Sequence, residues 1–200
     1  AFPAARAQRP AEPLVGDVLV WVLVAPGEKA ARQIAALRQR GVAQPLIVLA
    51  DEPGEDDALA ALTAGAKVVG VIPERLLHLE VGHRELTELH VVPTMHERKR
   101  LMAEMADVFI AMPGGIGTFE ELFEVWTWRH LGYHDQPIGL LNVEGFYDPL
   151  LAFMRHTLHA GFIDASQQAM LTVHDDPATL LDRLAAEAGR AQQADDFSQL

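Results

Sequence analysis

The sequence predicts a single α/β domain of Rossmann-like type, a doubly wound, mainly parallel sheet covered by helices. Three observations lead there. Apolar runs of strand length alternate with stretches of helical periodicity. The strand runs are continuously apolar, as expected where both faces of a sheet are covered. A glycine-rich turn, Pro113-Gly114-Gly115-Ile116-Gly117, leads from one run into a helix. Sheets of this kind bind ligands there, beyond the carboxyl ends of their strands.

In chain order, residues 1–13 are rich in Ala, Pro and Arg without the apolar core of a secretory signal, and read as a flexible extension. A nucleotide-binding domain is expected over 14–187, with a flexible acidic tail at 188–200. The first strand, 17–24, holds most of the longest apolar stretch, 18–25, which has the length of a buried strand and is far too short to cross a bilayer. A helix at 28–40 follows, then a strand at 45–50, a helix at 57–64 and a strand at 67–72. The alternation continues with a helix at 96–105, a strand at 107–112, a helix at 118–130 and a strand at 137–142. Beyond it come a helix at 148–160, a short strand at 170–174 suited to closing one edge, and a helix at 177–187. There is no internal repeat and no linker long enough to divide domains.

A chain of 200 residues with 50% hydrophobic content suffices for one such domain with a real core. The net charge of −12 argues against an extended nucleic-acid or anionic-membrane surface, since those need clustered Lys and Arg. A single nucleotide held by backbone amides is compatible with it. Without cysteine there is neither a disulfide framework nor a thiolate ligand or nucleophile, and the expected compartment is the cytoplasm.

The glycine turn carries most of the functional information. Gly114, Gly115 and Gly117 permit positive φ and leave no Cβ in the way of a ligand, while the amides at the helix start point outward. That geometry suits a phosphate. Thr118-x-x-Glu121 has capping-box spacing for a helix that begins at Thr118, so Glu121 has a structural reading beside a chemical one. The second feature is Met95-His96-Glu97-Arg98-Lys99-Arg100, in which Arg98 shares a helical stripe with Met95, Leu101, Met102 and Met105. An arginine on an apolar stripe usually has an anionic partner. His83, His90, His96, His130 and His134 never fall at tight metal spacing on one face, so no metal site is expected. Trp126 and Trp128 are expected to pack core or a subunit interface rather than stack a base.

These motifs resemble the Lonely Guy family of cytokinin riboside 5′-monophosphate phosphoribohydrolases. The resemblance covers about residues 65–184. It rests on the run at 113–121, on Met-His-Glu-Arg-Lys at 95–99 and on Lys-Val-Val-Gly-Val-Ile-Pro at 67–73, with 124–128 and 139–151 in support. It implies hydrolysis of the N-glycosidic bond of a nucleoside 5′-monophosphate (a cytokinin riboside monophosphate or AMP) to free base and ribose 5-phosphate, without a cofactor. As that bond breaks, positive charge develops on the ribose, and a carboxylate beneath it stabilises the oxocarbenium-like state. The resemblance gives that role to Glu121 and has Arg98 hold phosphate or ribose in reacting geometry. It makes Glu80, Lys99, Gly114, Gly115, Ile116, Gly117, Thr118, Phe119, Glu120 and Thr127 substrate contacts. It also implies a homodimer, for which Phe123, Trp126 and Trp128 form the expected contact. Relatives have been labelled lysine decarboxylases, but that chemistry needs a Schiff-base lysine, and Lys29, Lys67 and Lys99 offer no convincing one. The competing reading is a nucleotide-binding carrier or sensor without hydrolysis.

The first third departs from the family pattern. Its first strand ends Val24-Ala25-Pro26-Gly27 in place of a Cys-Gly-Ser-Ser type turn. Its second runs into 51–57, where five carboxylates replace a glycine loop. A phosphate beside such carboxylates meets a Coulomb cost of about 1 kcal/mol or more per close pair. Residues 17–66 resemble part of a response-regulator receiver domain, although Val22 stands where a receiver carries its phosphoacceptor aspartate. The expectation is a chimera in which a related βαβα piece replaces the first half of the sheet.

Overall fold

The computed structural model of the chain describes residues 20–24, 46–50, 69–75 and 88–188. Strand β1 (Val20–Val24) lies between β2 (Leu46–Ala50) and β5 (Val108–Ala111), and β6 (Ile138–Leu141) and β7 (Leu171–His174) extend the sheet beyond β5. Every pairing is parallel, with Leu23 opposite Ala111 and Ala111 opposite Leu140. All residues of β5 and β6 are buried, which explains their unbroken apolar runs. The expected strands at 17–24, 45–50, 107–112, 137–142 and 170–174 are thus all found, the last at an edge. Strand order reverses between β1 and β5, and the crevice at their carboxyl ends is where an open α/β sheet takes its ligand.

Two points differ from expectation. The strand expected at 67–72 appears as β3 (Val69–Pro73), but it hydrogen-bonds outside the main sheet, in a parallel pair with β4 (Glu88–Val92). Strand β4 has no counterpart in the sequence reading. Only its last residue, Val92, is buried, while Glu88, Leu89 and Val91 are exposed, so no apolar run marks it.

Helix α1 (Met95–Met105) starts at Thr94, whose hydroxyl accepts from the Glu97 amide at 3.1 Å, and buries Arg98, Leu101, Met102 and Ala103. Helix α2 (Ile116–His130) buries Thr118, Glu121, Leu122, Val125, Trp126 and Trp128, a stripe of helical period facing the sheet. Helix α3 (Asp148–His159) and the short α4 (Ala165–Ala169) follow, the latter with a full capping box from Asp164 and Gln167. Helix α5 (Pro177–Ala188) packs Leu180 and Leu184 so close to β6 that a Cβ on Gly139 would lie 2.6 Å from Leu184 Cδ1. The helices expected at 28–40 and 57–64, the extension, the acidic run 51–57 and nearly all of the tail lie outside the described residues.

Two buried polar side chains pin the segment between α2 and β6. Gln136 Nε2 donates to the Ala106 carbonyl at 2.8 Å, at the end of α1, and His134 Nε2 bonds the Val125 carbonyl at 2.9 Å. Burial pushes the His134 imidazole down to about 4, with the Arg129 charge acting the same way, so it is neutral in the fold. Trp126 and Trp128 are also buried within the chain, and Trp126 Nε1 donates to the Gln167 carbonyl at 2.9 Å. Of the three aromatics expected at a subunit contact, therefore, only Phe123 is exposed.

Candidate active site

Strand β5 delivers the chain through Met112 and Pro113 to Gly114 and Gly115, and α2 begins at Ile116. This is two residues earlier than the sequence suggests. Gly115 is the N-cap (φ −103°, ψ −154°) and offers no side-chain cap. Thr118 is consequently inside the first turn, Glu121 falls in the second, and the expected capping box does not form. None of Gly114, Gly115 and Gly117 takes positive φ; the glycines that do are Gly132, Gly145 and Gly161. What the loop requires is the missing Cβ. At Gly114 a Cβ would run into the Thr118 hydroxyl, and at Gly115 the space a Cβ would enter is open. The first amides of a 15-residue helix therefore meet an unobstructed backbone, the arrangement that receives an anion.

Thr118 adds to this. It is 1% exposed, and its hydroxyl has no hydrogen-bond partner. An unpaired buried hydroxyl costs about 1–3 kcal/mol, and this one stands in the first turn, beside Gly114 of the loop. Ile116, by contrast, is 83% exposed at the start of the helix. Phe119 is partly buried and meets the Tyr147 ring edge-on at 6.4 Å.

Glu121 is 3% exposed and shares the inward stripe of α2 with Thr118 and Leu122. Its neighbour Glu120 points to the outer face together with Phe123 and Thr127, because seven residues make two turns. The Thr127 hydroxyl donates back to the Phe123 carbonyl at 2.7 Å. The adjacent carboxylates of the motif thus project about 100° apart, one inward and one toward the exposed flank of the helix.

The basic run of α1 is also divided. Arg98 is 5% exposed, and its Nε donates to the Val71 carbonyl at 3.0 Å, which ties the helix to β3. Its apolar stripe holds at Leu101 and Met102, whereas Met95 is exposed, with its sulfur accepting from Arg98 Nη1 at 3.4 Å. Lys99 reaches across to α2, with Nζ 2.6 Å from Glu120 Oε1 and 2.9 Å from Glu124 Oε2. Burial works to lower the Lys99 pKa, but the hydrogen bonds and charges of the two glutamates outweigh it and hold the pKa above the usual lysine value. Arg100 stays on its own helix, bonded to Glu97 and Glu104 at 2.6 Å each. Glu80 lies outside the described residues.

Sequence reasoning missed two groups here. Glu124 joins Lys99 and is detectable only from its spacing of four from Glu120. Tyr147 is fully buried in the turn after β6, and its hydroxyl donates to the Met112 carbonyl at 2.5 Å. Burial raises its pKa above the usual phenol value, so it remains a donor. Asn142 shapes that turn, accepting from the Tyr147 amide at 2.7 Å and donating to Asp148 at 2.9 Å. The turn passes through Glu144 at φ +53° and Gly145 at φ +72°.

The arrangement combines open backbone at a helix start, a buried carboxylate one turn further along the same helix, and Lys99 of α1 bonded to Glu120 and Glu124. Among the described residues no group of three His, Cys, Asp or Glu side chains is placed to hold a metal ion, and no helix is long and apolar enough to cross a membrane.

A family model described as "Possible lysine decarboxylase" matches residues 56–184. The cytokinin riboside 5′-monophosphate phosphoribohydrolase of Rhodococcoides fascians is 52% identical over 120 residues, 60% of this chain and 61% of that protein. The corresponding enzyme LOG2 of Arabidopsis thaliana is 45% identical over 60% of this chain and 56% of its own length. The chain thus spans little more than half the length of these relatives. The probable enzyme LOGL5 of Oryza sativa subsp. japonica is 39% identical over 84% of this chain and 70% of its own length, an alignment long enough to enter the first third. Among solved structures, the molybdenum cofactor carrier protein of Chlamydomonas reinhardtii covers 85% of this chain and 99% of its own, with a TM-score of 0.55 at 18% identity. The molybdenum cofactor binding protein of Rippkaea orientalis covers 85% and 96%, with a TM-score of 0.55 at 19% identity. At those identities the likeness establishes the α/β fold and nothing of the ligand.

Proposed function

Since this chain belongs to the Lonely Guy family, the family whose model is described as a possible lysine decarboxylase, we propose that it hydrolyses the N-glycosidic bond of a nucleoside 5′-monophosphate. The products are the free base and ribose 5-phosphate. One observation carries the reading: α2 presents open amides at Gly115 to Thr118 and, on its inward face one turn later, the buried carboxylate of Glu121. From Thr118 to Glu121 the helix rises about 4.5 Å, the scale of the sugar between a 5′-phosphate and the anomeric carbon.

In this reading the phosphate sits on the helix start, cradled by Gly114, Gly115, Ile116 and Gly117, with the Thr118 hydroxyl as a further donor. Glu121 lies beneath the ribose, where it stabilises the positive charge that grows on C1′ as the bond to the base lengthens. It also orients the water whose oxygen forms the new bond to C1′; the base departs with the bonding electrons and takes up a proton. Arg98 fixes the substrate, Lys99 adds positive charge, Glu120 and Thr127 line the outer face, and Phe119 and Glu80 complete the contacts. We further assign the chain a cytoplasmic, homodimeric state, its domain spanning 14–187.

The decarboxylase description finds no support in the site. A Schiff-base lysine needs a depressed pKa, and Lys99, the one lysine among the described residues, is held by two carboxylates that raise it. The test is incubation with AMP and with isopentenyladenosine 5′-monophosphate, followed by chromatography for base and ribose 5-phosphate. Base release supports the hydrolase. Binding without release points to a carrier.

A further inference from the structure

Lys99 bridges α1 to α2, and it does so through two carboxylates one turn apart. They differ in exposure. The Glu120 side chain is 52% exposed, whereas that of Glu124 is 26% exposed and that of Lys99 only 16%. We propose that Glu124 is a positioning residue of the nucleotide site, keeping Lys99 seated against α2 while the more exposed Glu120 turns from Lys99 to a ribose hydroxyl of the ligand. This rests on the nucleotide reading above.

The physical reason is the nature of lysine. Its ammonium is a compact charge on a flexible four-carbon stem, so it stays where its counterions hold it. With Glu120 alone, the carboxylate would have to choose between ligand and lysine, and a lysine released from α2 would return to solvent. With Glu124 as second anchor, Glu120 accepts a ligand hydroxyl while the cation remains against α2. In the free state Lys99 also relieves the repulsion between two carboxylates four residues apart on α2. Arg100 provides no substitute, because it is bonded to Glu97 and Glu104 on α1 itself.

The test is a double-mutant cycle on Glu124→Gln and Lys99→Met, reading KM and kcat for hydrolysis, Kd for AMP by calorimetry, and Tm. Glu124→Gln is expected to raise KM and Kd about fivefold, with kcat within about twofold of wild type. Glu124→Asp, which keeps the charge, should fall between the two. In the Lys99→Met background, Glu124→Gln should change Kd by less than about twofold, because its action passes through Lys99. An unchanged Kd, or an equal rise in both backgrounds, overturns the proposal. Were Glu124→Gln too unstable to assay, Glu124→Asp decides, and a wild-type Kd for it overturns the proposal. A wild type that binds AMP without releasing base refutes the hydrolase while leaving the cycle readable from Kd. A wild type that does not bind AMP overturns both.

Discussion

The Tyr147 hydroxyl donates to the Met112 carbonyl at 2.5 Å, so the turn after β6 holds the residue that leads into the glycine loop after β5. Both residues are fully buried, and the Tyr147 ring is wedged against Phe146 at 5.0 Å and Phe119 at 6.4 Å. Loop 113–115 is thus fixed from behind by a neighbouring strand.

Tyr147→Phe keeps the packing and strands the Met112 carbonyl. The expected loss is about 1–3 kcal/mol of stability. Substrate KM should rise more than kcat falls, because the loop that receives the phosphate loosens. Chemical denaturation and steady-state kinetics check both, and a variant as stable as wild type would deny the bond its role.

Thr118→Val separates packing from binding. Valine fills the same volume and removes a buried hydroxyl with no partner, so the free protein should become more stable by roughly 1 kcal/mol. If that hydroxyl serves the phosphate, AMP binding should weaken by about tenfold in the same variant. Calorimetry and a melting curve read the two effects together, and a loss of stability with unaltered binding would contradict the assignment.

Gly114→Ala places a methyl group where the Thr118 side chain already lies. Either α2 shifts at its start or the loop does, at a cost of about 1–3 kcal/mol. Gly115→Ala meets nothing within the protein. It should therefore leave Tm nearly unaltered and act on nucleotide affinity alone; equal Tm losses for the two variants would show that the loop is not built as described.

His134 sets an acid limit on stability. Its imidazole titrates near 4 in the fold, against an ordinary value of 6.5. Between those values the unfolded chain binds the proton and the folded chain does not, so this contribution is whole above pH 6.5 and is lost as pH falls toward 4. The full shift corresponds to about 3 kcal/mol. Denaturant midpoints taken from pH 8 to pH 4.5 should fall for wild type and fall less for His134→Gln; parallel curves would exclude His134 as the cause.

Much of this was legible in the sequence, for physical reasons that also mark the limits. Continuous apolar runs identified β5 and β6 because both of their faces are covered, and Arg98 stood out because α1 buries the stripe it shares with Leu101 and Met102. The start of α2 was misplaced because Thr118 is the better cap by side chain, while the chain turns at Gly115, which caps without one, and leaves Ile116 exposed. Strand β4 hid behind its exposed residues. The pairing of Lys99 with Glu120 spans 21 residues, which local periodicity does not reach. The family model begins at residue 56, earlier than the motifs alone suggest, and residues 17–66, for which a likeness to a receiver domain is expected, lie largely outside the described residues.

The most direct measurement compares wild type with Glu121→Gln on isopentenyladenosine 5′-monophosphate, following free base and ribose 5-phosphate together. The account predicts equimolar release by wild type and a loss of at least about a hundredfold in kcat for the variant, measured on folded protein. Undiminished release by Glu121→Gln, or a wild type that binds the nucleotide and leaves it whole, would contradict it.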